Sequence, residues 1–411
     1  MSKAGPYAAL QIRDYRFFIS ARFCVTLAIH IQAVVVAWQV YEITKDPLSL
    51  GLIGLAEAIP SIGVSLYAGH VADIMKRKRI IVLCVGTLLL CSMALLSFTI
   101  KPTSFVLQYG VVPIYTVIFI SGIARGFLSP AMFAYMPQLV PRELYSNAIT
   151  WNSTLWETAV ITGPPLGGLL YGIFGITAAY ITDVALVFMG LLLALNVSDK
   201  PLPPSTSEEG VVEKIRAGLR FVFHNKMVLS AITLDLFAVL FGGAVALLPI
   251  FADEILHVGS IGLGFLRAAP GVGALLMALY IMHHPIRRNI GKIMFWCVAG
   301  FGVCMIVFGL SENFWLSMFV LMMSGSFDCV SVIIRGTLLQ TLTPENMKGR
   351  VSAVNHIFVG SSNEIGMFES GVAAKLLGAV RAVVLGGCMT LMTVSLVAWK
   401  SKSLRELQRL D

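Results

Sequence analysis

Charge is what this chain has least of. Only 13% of its 411 residues are Asp, Glu, Lys or Arg, against 57% hydrophobic, and the mean hydropathy is +0.83. A water-soluble domain carries about 25% charged residues, so this composition excludes a globular surface facing water and requires an apolar solvent. Alternating polar and apolar strands are missing too, which excludes a membrane β-barrel. The seven cysteines (Cys24, Cys84, Cys91, Cys297, Cys304, Cys329 and Cys388) all sit inside apolar runs. That placement suits small packed thiols and argues against a disulfide framework. No Cys/His grouping has metal-ligand spacing and no G-x-x-x-x-G-K-[ST] loop is present, so neither a metal, another cofactor nor ATP is expected. Nucleophile–base pairings are lacking as well, which speaks against an enzyme. Residues 1–16 have no short apolar core followed by a small-residue cleavage site, so no removed signal peptide is expected.

What is present is long apolar runs, and these predict helices, since backbone polar groups in lipid must be bonded within their own segment. About 20 apolar residues cross the hydrocarbon layer. Spans are expected near 17–41, 49–72, 80–100, 111–137, 148–172 and 176–196. A second set follows near 227–251, 260–282, 292–311, 314–338, 350–374 and 381–399. Of the 30 basic residues, 22 fall in the termini and the loops on one side of this arrangement. That bias places both termini in the cytoplasm. It also accounts for the net charge of +8 without nucleic acid as a partner.

The organisation expected is therefore residues 1–196 as one six-helix bundle, 197–226 as a cytoplasmic linker and 227–411 as a second bundle. Within the linker, Ile215, Leu219 and Val222 recur at helical spacing, as in a helix lying on the inner membrane surface. The two halves share a register: at a constant offset of 203, Ser121, Gly122, Pro141, Asn152, Gly163 and Gly168 meet Ser324, Gly325, Pro344, Asn355, Gly366 and Gly371. Duplicated halves place a transporter's substrate between them.

The loop after the second span reads GHVADIMKRKR. It resembles the G-x-x-x-D-x-x-G-R-[RK] signature of the major facilitator superfamily through Gly69, Asp73, Arg77 and Lys78, with Lys76 in place of the second glycine. The resemblance implies an all-α membrane protein of the major facilitator fold: twelve transmembrane helices in two pseudo-symmetric six-helix bundles. It also implies that these four residues form a conformational latch, with Asp73 against the positive end of a neighbouring helix and Arg77 pairing across the loop. The fifth span contains TGPPLGG, similar to the antiporter motif of the same superfamily. There Gly163, Pro164, Gly167 and Gly168 make a place to bend or to pack closely. Stretches over nearly the whole chain, among them WQVYEITKDPLSLG and TPENMKGRVSAVNHIF, resemble the drug and siderophore exporters, the branch that includes the enterobactin exporters.

A charge at mid-membrane costs roughly 2.5–3.5 kcal/mol on insertion scales, so each needs a partner or a task. The proton-coupling set expected is Asp235, Asp328, Arg335 and Glu364, with Asp235 and Arg335 able to pair. The substrate cavity is expected to use Gln32, Arg125, Glu157, Tyr135 and Asn355, with Glu157 as the partner of Arg125. Glu57 and Glu369 are expected to be structural. These residues suit a secondary active antiporter that exports a small amphipathic molecule against protons or Na+. An importer, a lysophospholipid flippase and a non-transporting sensor are the alternatives. A monomer in a bacterial inner membrane is expected.

Overall fold

A computed structural model describes residues 6–100, 109–201, 211–284, 286, 288–344 and 347–408. The long helices are α1 (Arg13–Thr44), α2 (Pro47–Ile74), α3 (Arg77–Ile100), α4 (Val112–Leu139), α5 (Tyr145–Leu195), α6 (Val211–His224), α7 (Lys226–Gly242), α8 (Gly259–His283), α9 (Ile290–Leu310), α10 (Phe314–Leu342), α11 (Lys348–Leu377) and α12 (Ala379–Lys400). Ten stretches among the described residues are long and apolar enough to cross a membrane. One of them contains α5, whose 51 residues would run about 76 Å as a straight helix, enough for two crossings of a layer about 30 Å thick. The more polar, 30-residue α11 brings the crossings to twelve.

Gly175 divides α5, since its φ of 83° and ψ of 170° are not helical. At the 203-residue offset stands Gly378, with φ 87° and ψ 152°, separating α11 from α12. The same backbone corner therefore ends the fifth and the eleventh crossings. Only glycine adopts such angles without strain of about 1–3 kcal/mol. A Cβ on Gly175 would meet nothing within 4 Å, so strain alone should act in Gly175→Ala. We expect a lower unfolding midpoint in detergent than for Gly86→Ala, an equally open helical position. Equal midpoints would remove the corner's claim on glycine.

By their contacts the described residues fall into two compact units, Met1–Thr44 with Ala56–Glu208 and Lys45–Leu55 with Glu209–Asp411. The first is cored by Tyr15, Ile19, Val85, Ala131, Tyr135 and Val187 among others. In the second, Leu234, Met294, Phe295, Ile334 and Leu338 form a main cluster. The second unit also holds Lys45 against Asp253 at 2.6 Å and Lys375 against Asp46 at 3.0 Å, and it stacks Gly51 on the backbone of Gly371.

The span expected over 227–251 is met by one apolar stretch, Lys226–Ile255, in which α7 ends at Gly242 and short 3-10, α and π turns continue to Ile255. One sequence expectation changes. The amphipathic α6 does not reserve its apolar face for lipid. Val222 is fully buried with Val228, Ile232, Val351 and Val354, and Leu219 packs on them, while Arg216 and Arg220 stay exposed. No disulfide joins the cysteines.

Candidate functional site

In the second unit Asp235 on α7 and Arg335 on α10 form a direct ion pair, with 4% and 5% of each residue exposed. This is the pairing expected from the sequence, and at such depth each charge depends on the other. Asp328, seven residues before Arg335 and half-buried, makes no ion pair among the described residues. Glu364 is half-buried on α11. Asn355 buries an amide oxygen that has no hydrogen-bond partner among the described residues. So does Asn152, its counterpart at the repeat offset.

In the first unit Arg125 on α4 pairs with Glu57 on α2, not with Glu157, which corrects the sequence reading. The cause is a close crossing of α2 and α4. A Cβ on Gly122 would lie 2.8 Å from the Glu57 carbonyl and the Pro60 ring, so Glu57 comes within reach of Arg125 one turn along. Glu157, half-buried on α5, makes no ion pair among the described residues. The second unit repeats the crossing, with Pro270 of α8 against Gly325 of α10. Aligned on the two crossings, with Pro60 matched to Pro270 and Gly122 to Gly325, Glu57 and Arg125 correspond to Arg267 and Asp328, with the signs of charge exchanged.

Gln32 and Tyr135 also differ from expectation. Gln32 on α1 donates from Nε2 to Asp183 Oδ2 at 3.0 Å and to Ser92 Oγ at 3.3 Å, which ties it to its own bundle. Tyr135 is 2% exposed, edge-on to Phe18, and its hydroxyl donates to the Ser198 carbonyl at 2.6 Å. It is a core residue. Phe133, at 78% exposure, is the outward-facing aromatic of that turn.

A feature with no sequence signal is the strap before α1. The Asn147 amide and the Trp151 indole both donate to the Pro6 carbonyl, at 2.7 and 2.9 Å, and Tyr7 packs on Trp151. A cavity of about 490 Å³ opens among Tyr7, Glu143, Asn147, Trp151 and Thr154.

A family model described as a transmembrane secretion effector matches residues 4–411. The chain belongs to this major facilitator family. It is 28% identical over 349 residues to the enterobactin exporter EntS of Escherichia coli O1:K1 / APEC, spanning 83% of this chain and 80% of that protein. It is 27% identical over 347 residues to the namesake in Shigella dysenteriae serotype 1 (strain Sd197), over the same shares. A solved bacterial homologue of the iron transporter ferroportin, in an inward-facing state, superposes with a TM-score of 0.72 at 15% identity, over 96% of this chain and 99% of that one. A POT family transporter in complex with 5-aminolevulinic acid does so with 0.75 at 11%, over 95% and 96%. At such identities the two structures establish the fold alone. As a facilitator the protein is a multi-pass membrane transporter and not an enzyme.

The two facilitator motifs have clear local roles. Gly69 and Asp73 lie in α2, but their surroundings fall outside the described residues. Arg77 donates to the Ala134 carbonyl at 2.9 Å, where Pro137 interrupts the last turns of α4. Lys78 donates to Leu195 at 2.9 Å, the last carbonyl of α5. Both cations thus reach carbonyls near helix C-termini, where the dipole is negative. The antiporter motif packs instead of bending. Gly163, Pro164, Gly167 and Gly168 are buried, and the departure from helical angles in α5 comes at Gly175. A Cβ on Gly163 would lie 2.5 Å from the Cβ of His30, and one on Gly167 2.9 Å from the Ile31 carbonyl. Small residues here let α1 and α5 touch backbone to backbone.

Proposed function

We propose that this facilitator exports a small amphipathic molecule of drug or siderophore type, exchanging it for protons by alternating access across a bacterial inner membrane with both termini in the cytoplasm. Kinship with the enterobactin exporters favours export and an amphipathic organic cargo, and the distribution of basic residues favours the orientation. One observation carries the coupling. Arg125 and Arg335 each hold a carboxylate, whereas Asp328, half-buried within α10, holds no counter-charge among the described residues. A carboxylate so placed has its charge compensated by taking a proton, and releasing that proton readies the site for the next cycle. The Asp235–Arg335 pair, about two turns further along α10, is the natural element to rearrange with that charge. Glu364, half-buried on α11, is the next acid in the coupling set. Arg125, Glu157 and Asn355 offer polar contacts to the cargo.

The test is transport into proteoliposomes of ethidium, a catecholate siderophore and a lysophospholipid under an imposed pH gradient. We expect ethidium or the siderophore to accumulate only while the gradient lasts. Asp328→Asn should lower that accumulation by about tenfold while energy-independent exchange persists. Movement of the lysolipid alone, net flux in the import direction, or response to a Na+ gradient only would each contradict the reading.

A further inference from the structure

Asp183 lies on α5 beyond the Gly175 corner, and the coupling set argued above does not use it. It is 1% exposed. Its Oδ2 accepts from Gln32, Ser92 stands beside the same carboxyl, and its Oδ1 is buried with no hydrogen-bond partner among the described residues. The charged and titratable groups facing it are Arg125 from α4, Cys91 from α3 and Tyr180 from its own helix, while α1 presents the Gln32 amide. Arg125 is already committed to Glu57, so Asp183 has no ion-pair partner of its own among the described residues.

A second observation points from outside the bundle to this carboxyl. The side of α1 that meets α5 carries a row of hydrogen-bonding groups. Glu42, exposed at the end of α1, accepts from Trp38 at 2.8 Å and from the Tyr171 hydroxyl. Deeper in, the buried Tyr180 donates to Gln39 Oε1 at 2.6 Å, and Tyr180 lies within electrostatic reach of both Tyr171 and Asp183. Hydroxyls and amides at this spacing, ending on a buried carboxyl with an unused oxygen, have the composition of a proton path in an apolar layer.

We propose that Asp183 is a proton-binding site of the first bundle, reached from the Glu42 end of α1, so that each half of the transporter carries its own proton acceptor. The step is a transfer of H+ from water to Oδ1, converting the carboxylate to a carboxylic acid, and its reversal. The site deepens the proton coupling proposed above and rests on that reading for its role in transport.

The experiment is infrared difference spectroscopy of the protein in lipid nanodiscs as pH is stepped, which reads titration and needs no substrate. We expect a protonated-carboxyl band that rises on acidification in the wild type, vanishes in Asp183→Asn and persists at a shifted position in Asp183→Glu. Gln32→Leu removes a donor that favours the anion, so the midpoint of that band should move to higher pH, an effect that a purely structural aspartate does not give. A band constant at all pH values, or one retained in Asp183→Asn, overturns the assignment. If Asp183→Asn does not fold, an unmoved midpoint in Gln32→Leu overturns it equally. Loss of gradient-driven ethidium transport as a wild-type property would contradict the coupling reading while the band still reported on Asp183.

Discussion

Arg335→Ala should leave little folded protein in the membrane. The substitution strands Asp235, 4% exposed, as a buried anion without its ion-pair partner, and breaking a buried pair in this way costs about 3–5 kcal/mol. Native stabilities are about 5–15 kcal/mol, so the loss takes a large share of the total. The reciprocal Asp235→Ala should be about as damaging. Removing both charges, in Asp235→Leu with Arg335→Met, should restore most of the folded fraction, because no uncompensated charge remains and the volumes are similar. Monodispersity and unfolding midpoint in detergent measure this directly. If Arg335→Ala unfolded at the wild-type temperature, the pair would not be holding α7 to α10.

An effect of similar size is expected from Gly325→Leu. A Cβ at that position would sit 1.9 Å from the Pro270 carbonyl oxygen and 2.6 Å from its Cα. The obstacle is backbone, so no rotamer change relieves it and α8 must move away from α10. Gly273 makes the reciprocal contact, since a Cβ there would lie 1.8 Å from the Met322 carbonyl oxygen, and Ser326 ties the crossing by donating to the Gly273 carbonyl at 2.9 Å. In lipid, helices associate through such close packing and interhelical hydrogen bonds, so opening the crossing removes most of what joins this pair. At Gly336 in the same helix a Cβ would meet nothing within 4 Å, so Gly336→Leu serves as control. We expect purified Gly325→Leu to aggregate or to unfold far below Gly336→Leu. Equal behaviour of the two would refute the crossing.

The crossings and their repetition were legible in the sequence because hydrophobic thickness sets span length, and because glycines at helix contacts persist at one register. Gly122 and Gly325 were visible as a pair before either was seen to touch a proline-bearing helix. The Gly175 and Gly378 corners belong to the same register but carry no hydropathy signal, so their shared geometry emerged only from the backbone. The charges were legible as individuals and less so as partners. Asp235 and Arg335 are legible as partners because the resemblance to a fold supplies their adjacency. For Arg125 the sequence offers Glu157, because it carries no sign that α2 crosses α4 closely enough to bring Glu57 to it. Asp183 and Gln32 lie 151 residues apart, and nothing in either local sequence connects them. Tyr135 reads as a cavity residue for a related reason: an aromatic on a helix has the same signature whether it faces a cavity or, as here, Phe18 and the Ser198 carbonyl.

The central claim is that substrate and protons move in opposite directions through one protein. It is tested most directly by running the exchange backwards. Proteoliposomes loaded with a pH-sensitive dye, with no initial pH difference, are given a steep ethidium gradient. The account predicts that ethidium moving down its gradient drives protons the other way, so that the lumen changes pH in a protein-dependent manner and the change is lost in Asp328→Asn. Ethidium flux without any proton movement, or with protons travelling alongside the dye, would contradict it.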